Sequence, residues 1–166
     1  MGKRILSVLC ALLLSLSIFS QIQRDFYGLQ LAHSGRSDIV KQFKESGKIV
    51  SEADDNISVE SLNFCGEDWP FVTFYFYKNT LCSVQFLNFE IVTPKDKLDL
   101  VWNHLNQLLI TKYNGIDSVA TDEVRSYKDN ETLVSLNYTT HNGSKCIVFM
   151  YFDLNMMQAK ETDSKK

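Results

Sequence analysis

Residues 71–89 read FVTFYFYKNTLCSVQFLNF, and the alternation on either side of Lys78-Asn79-Thr80 decides the fold. Two runs rich in aromatic and β-branched residues, separated by a short polar break, are the pattern of an antiparallel hairpin. If Lys78-Asn79-Thr80 is a three-residue loop, Phe76 faces Cys82, Phe74 faces Val84 and Val72 faces Phe86. All six apolar side chains then share one face, which is what fixes register in a half-buried strand pair. A two-residue loop would mix apolar with polar side chains on both faces, so the three-residue loop is expected. The opposite face then carries Thr73, Tyr75, Tyr77, Ser83 and Gln85.

A second hairpin lies near the C-terminus, with Asn142-Gly143 at its tip, the strongest two-residue turn signal. It pairs Tyr138 with Ile147, Leu136 with Phe149 and Val134 with Tyr151, and its reverse face mixes Ser135, Asn137 and Thr139 with Val148 and Met150. Further strands are expected at 49–53, 57–65 and 118–127, with Glu67-Asp68-Trp69-Pro70 as a loop. Between the hairpins, Thr93-Pro94-Lys95-Asp96 announces a helix by N-cap, first-turn proline and acid. Leu98, Val101, Trp102, Leu105, Leu108, Leu109 and Tyr113 make its apolar stripe, and Asn114-Gly115 ends it. A shorter helix, capped by Ser34 or Ser37, buries Ile39, Val40 and Phe43 and stops at Gly47. The order helix, strands, helix, strands is a degenerate repeat of about 65 to 70 residues. The expected fold is α+β: two helix-plus-antiparallel-strand units, about 26–90 and 91–155, with the helices packed on one face of the sheet.

Outward from this domain, the N-terminus reads as an export signal. Lys3-Arg4 precedes an apolar run from Ile5 to Phe19, and Ser20 ends it. Fifteen residues fall short of the roughly 20 that span a bilayer. Residues 1–20 are therefore expected to be a signal peptide cleaved near Ser20-Gln21, with Ser17 as an alternative cut and no membrane span afterwards. Cleavage removes Lys3 and Arg4, leaving 15 basic against 20 acidic residues, a net charge of about −5. Such a chain, without a basic stripe, does not attract a phosphate backbone, so nucleic acid is not an expected partner. The domain should run over 21–157, and residues 158–166 are expected to be a disordered polar tail.

Three cysteines remain, Cys65, Cys82 and Cys146. An oxidising compartment permits one disulfide among them, and their pairing is open. Their spacing is not that of a metal site, and no cofactor motif is present. His33, His104 and His141 are scattered over different elements, and Asp54-Asp55-Asn56 lacks the order of a calcium loop. With no nucleophile elbow, phosphate loop or Cys–His spacing, a non-catalytic role is expected. Tyr75 and Tyr77 beside Thr73, Ser83 and Gln85 make an amphipathic surface of the kind enriched at interfaces, so this face is the expected binding site. The partner would be a protein of the envelope or extracellular space. The alternative is a small-ligand carrier or hydrolase-like protein with a cleft between the units, rimmed by Glu67, Asp68 or His104.

Three stretches also carry a family resemblance. Phe26-Tyr27-Gly28-Leu29-Gln30-Leu31 before a capped helix, Trp102, Leu105 and Leu108 before Lys112-Tyr113-Asn114-Gly115, and the closing strand Ile147 to Asn155 form the set. Together they resemble a group of secreted proteins of Bacteroides-type bacteria. Such proteins look in fold like the β-lactamase inhibitor protein and the small lipoprotein of the outer-membrane assembly machine. The resemblance implies helix-plus-strand units that work by binding proteins, and it implies no activity.

Overall fold

The computed structural model describes residues 21–48 and 50–165, so the leader expected over 1–20 lies outside the described residues. In chain order the elements are β1 (Asp25–Phe26), β2 (Leu29–Gln30), α1 (Arg36–Glu45), β3 (Val50–Glu52), β4 (Asn56–Phe64), β5 (Glu67–Tyr77) and β6 (Thr80–Phe89). They continue with α2 (Lys95–Lys112), β7 (Asp117–Ala120), β8 (Val124–Lys128), β9 (Thr132–His141), β10 (Ser144–Asp153) and α3 (Leu154–Ser164). The class is α+β. Strands β3 to β10 form one eight-stranded antiparallel sheet in the order β3-β4-β5-β6-β10-β9-β8-β7, and β1-β2 is a separate small hairpin.

The pairing of β6 with β10 joins the two hairpins at the centre, setting Phe86 opposite Phe149 and Val84 opposite Tyr151. Along one face this creates an aromatic core in which Phe64 stacks on Phe86 at 4.4 Å and Trp69 lies 5.9 Å from Phe149. Helix α1 covers this face through Phe43, whose ring is 5.4 Å from Phe74. Helix α2 covers it through Leu98, Trp102, Leu105 and Leu109, with Trp102 stacked on Tyr138 at 5.8 Å. Burying these stripes against an already apolar sheet face is what makes both helices stable, since neither length nor propensity would suffice in water.

The Asn142-Gly143 hairpin has the expected register, Tyr138 opposite Ile147, Leu136 opposite Phe149 and Val134 opposite Tyr151. The Lys78 hairpin does not. Its loop has two residues, Lys78 and Asn79, both left-handed at φ 47° and 66°. That is the mirror-image turn whose twist matches its strands. Phe76 therefore faces Leu81 rather than Cys82, and Cys82 is bulged out between Phe76 and Tyr75. The extra residue restores Phe74 to Val84 and Val72 to Phe86, so the apolar face survives by a bulge instead of by a longer loop.

Four other expectations are corrected. Glu67 to Pro70 is strand, not loop, because Cys65-Gly66 (φ 56° and 80°) makes the turn. The ladder skips Ser61 opposite Pro70: Ser61 is left-handed at φ 57°, and proline has no N–H to give. The apolar side chains change phase there, so Leu62, Phe64 and Trp69 join the core. The single strand expected at 118–127 is two strands, turned at Thr121, whose hydroxyl accepts from the Val124 N–H at 3.0 Å. Neither Ser34 nor Ser37 caps α1; Gly35 does, its N–H donating to Asp38 Oδ2 at 2.7 Å. Finally, the described part of the expected disordered tail is helical, because Asp153 caps α3 by accepting from the Met156 N–H at 2.8 Å.

Asp153 also ties the chain's ends together. It is 2% exposed and receives Arg24 Nη2 at 2.5 Å, while Arg24 Nη1 donates to Thr132 Oγ1 at 2.9 Å. Ile22, 1% exposed, is fixed by its N–H to Asp129 Oδ2 at 2.8 Å. Among the described residues, no helix is long and apolar enough to cross a membrane.

Candidate functional site

The face of the sheet opposite α1 and α2 can be laid out from the registers. Three rows of side chains run across it. The first is Glu60, Phe71, Leu87, Val148, Asn137 and Val124. The second is Ser58, Thr73, Gln85, Met150, Ser135 and Ser126. The third is Asn56, Tyr75, Ser83, Phe152, Leu133 and Lys128. Charge appears only at the margins, at Glu60 on β4 and Lys128 on β8. Between β5 and β9 every position in the three rows is uncharged, and Phe71 is 37% exposed.

All five expected site residues lie on this side, but they are not equally available. Thr73 is 8% exposed and bonds to Ser58 at 3.1 Å across the β4–β5 pair. Ser83 is 3% exposed, and its hydroxyl has no hydrogen-bond partner among the described residues. The Tyr75 hydroxyl donates to Gln85 Oε1 at 3.0 Å, and Gln85 in turn reaches Met150 Sδ at 3.4 Å. Burial, with Asp55 adding to it, raises the pKa of the Tyr75 phenol, which therefore stays a neutral donor. Tyr77 donates to Asp163 near the end of α3. The accessible part of the face is thus Tyr75 and Gln85, joined by Phe71, Leu87, Val148, Met150, Phe152 and Leu133.

Phe71, Leu87, Phe152 and Leu133 were not among the expected site residues. Alternation places Phe71 and Leu87 beside Thr73 and Gln85, and Phe152 and Leu133 beside Met150 and Ser135, but only the pairing of β6 with β10 joins the two sets into one surface. The apolar reverse face of the C-terminal hairpin, with Val148 and Met150, was a further signal of them in the chain.

The other candidates are arranged differently. His104 of α2 and Glu67 of β5, far apart in sequence, are hydrogen-bonded through His104 Nδ1. Gly66 packs beside this imidazole, since a Cβ there would lie 3.4 Å from His104 Cε1. Asp68 instead accepts from Asn63 Nδ2 at 3.0 Å. His33 bonds to the Leu31 carbonyl at 3.0 Å. An open cavity of about 450 Å³ lies by Gln21, Arg24 and His33, and another of about 420 Å³ by Arg36, Tyr77, Lys78 and Lys160; neither reaches Glu67 or His104. Among the described residues no three His, Cys, Asp or Glu side chains group as metal ligands.

The three cysteines are free thiols. Cys82 lies near one end of β6 and Cys146 pairs with Phe89 at the other, a separation of about 20 Å at strand rise that no disulfide spans. Burial raises the thiol pKa of all three. Comparison of the chain with protein-family models, with curated proteins and with solved structures finds no match in any of the three.

Proposed function

We propose that this chain is an exported, non-catalytic binding module that captures a protein of the envelope or extracellular space on the sheet face opposite α1 and α2. The observation that carries this reading is the uncharged block from β5 to β9, where Phe71, Leu87 and Val148 lie side by side and continue along β10 through Met150 and Phe152, bordered by Thr73, Gln85, Asn137 and Ser135. A contiguous apolar patch rimmed by polar groups marks an interaction surface. Tyr75 and Gln85, already bonded to each other, add a polar handle that loses little freedom on binding.

The export signal at 1–20 and the absence of catalytic spacing favour the same assignment. So does the resemblance to secreted Bacteroides-type proteins, with their likeness to the β-lactamase inhibitor protein. In this reading the chain is two helix-plus-strand units, β3 to β6 under α1 and β7 to β10 under α2, and the binding face runs across the junction of β6 and β10. Neither nucleic acid nor a cofactor has a place in it. The alternative, a cleft protein using Glu67 and His104, has their mutual hydrogen bond in its favour, but neither of the two cavities described above reaches them.

The test is affinity capture from the producing organism's envelope and culture fluid, with mature residues 21–166 as bait beside a Phe71→Ser, Tyr75→Ala double variant. A protein retained by the first bait and lost with the second, at nearly unchanged thermal unfolding, is the expected result. Equal retention by both baits would remove this face from consideration.

A further inference from the structure

The lower end of the proposed binding face is where the chain's own C-terminus returns. β10 ends at Asp153, one residue past the Phe152–Ser83 pair, so α3 starts beside the Cys82–Ser83 end of β6. The in-plane position next to Leu81 is already taken. The Ala32 N–H donates to the Leu81 carbonyl at 2.8 Å, and the Leu81 N–H donates to the Ser34 carbonyl at 2.9 Å. The opposite side of the sheet is held by α1. Helix α3 is thereby directed to the outer side, and it crosses toward β5. Its 11 residues, about 16 Å long, suffice for two strand spacings of about 5 Å each. At the far end Asp163 accepts from the Tyr77 hydroxyl and from Lys78 Nζ, the latter at 2.8 Å.

This crossing is lightly held. No residue of α3 is fully buried: Leu154 and Met156 in its first turn are half-buried, and from Met157 onward the helix is exposed. Its first turn is firm, because Asp153 is a buried cap, and its last turn rests on Asp163. At the end of β6 where α3 starts are Cys82, 2% exposed, and Ser83, 3% exposed, whose hydroxyl has no partner among the described residues. Burial pushes the Cys82 thiol up, and the Lys160 ammonium of α3 is near enough to act against that shift.

We propose that α3 is a releasable strap over the lower end of the binding face, hinged at Asp153 and latched by Asp163 on Tyr77 and Lys78. Unlatching frees the Tyr77 phenol, uncovers Cys82 and Ser83, and extends the apolar rows down to the Lys78-Asn79 turn. A partner that offers a carboxylate to Tyr77 and Lys78 takes over the contact Asp163 makes, so the strap also specifies the chemistry of what replaces it: an acidic segment. The inference rests on the outer face being the binding surface.

The assay is native-state alkylation of the full mature chain with iodoacetamide, read by peptide mass spectrometry. Cys65 is a partly exposed reference and Cys146 a buried one remote from α3. In Asp163→Asn the Cys82 rate should rise about fivefold, the effect of losing one exposed ion pair, with Cys146 unchanged. Tyr77→Phe, which keeps the ring, should move it the same way by less. Faster exchange of the 158–165 amides should accompany both. An unchanged Cys82 rate in both variants overturns the strap, and so does a parallel rise at Cys146, which would report opening of the whole domain. No partner is present in this assay, so its failure removes the strap and leaves the face to be judged by capture.

Discussion

Replacing Asp153 by Asn tests the account of how the ends of the chain are closed. The carboxylate is 2% exposed, carries Arg24 Nη2 at 2.5 Å on one oxygen and caps α3 from the other. Asparagine keeps the shape and can still cap, so the change isolates the charge. Removing one member of a buried pair leaves its partner uncompensated, at about 3–5 kcal/mol. Arg24 is not wholly stranded: it keeps Thr132 Oγ1 at 2.9 Å and Glu131 at 3.5 Å, and its side chain is 12% exposed. That places the loss near the bottom of the range, about 3 kcal/mol. For a domain of this size such a loss lowers Tm by about 10 °C. Thermal and urea unfolding of Asp153→Asn, Arg24→Met and the double variant make the measurement. The double variant should be little worse than either single one, with a coupling on the order of 2 kcal/mol. A fall in Tm below about 3 °C, or simple additivity, would refute the claim that this pair clamps residues 22–31 onto the second half of the sheet.

Two further outcomes follow from local geometry. Asp99 accepts from Lys95 at 2.8 Å and from the Tyr138 hydroxyl at 2.6 Å, and these two groups, in that order, hold its carboxyl below the ordinary value. A depressed folded pKa gives stability that is complete above about pH 4 and fades as pH falls through the lowered value. Asp99→Asn should therefore be less stable than the parent at pH 7, with the gap in urea midpoint narrowing by pH 3; a gap that stays constant contradicts the pairing. Asn79 at φ 66° occupies the second position of a left-handed two-residue turn. Asn79→Gly should stabilise by about 0.5 kcal/mol, read as a small rise in Tm, whereas destabilisation would argue against that turn type.

How much was legible in the sequence differs from element to element. The α+β class, helix α2 and the Asn142-Gly143 hairpin were legible because each is specified by contacts within about 25 residues, an apolar period or a turn whose chemistry admits one geometry; the cap expected at Thr93 is not made, since Pro94 holds the N-cap position of α2 without a side-chain hydrogen bond. The Lys78 hairpin was half legible. Its apolar pairs Phe74–Val84 and Val72–Phe86 were correct, but the bulge at Cys82 was invisible, since alternation records which side chains share a face and not how the backbone arranges it. The tail was misread on composition alone. Its polar residues cannot build a core, yet the buried Asp153 caps its helix and Asp163 pairs with Lys78. For the candidate face, the sequence put Tyr75 and Gln85 on an uncommitted side of one hairpin. Only the tertiary structure decided that β6 pairs with β10, because that choice depends on which edges remain free after both hairpins close. That one pairing sets Leu87 beside Val148 and Gln85 beside Met150, turning two half-faces into a single surface.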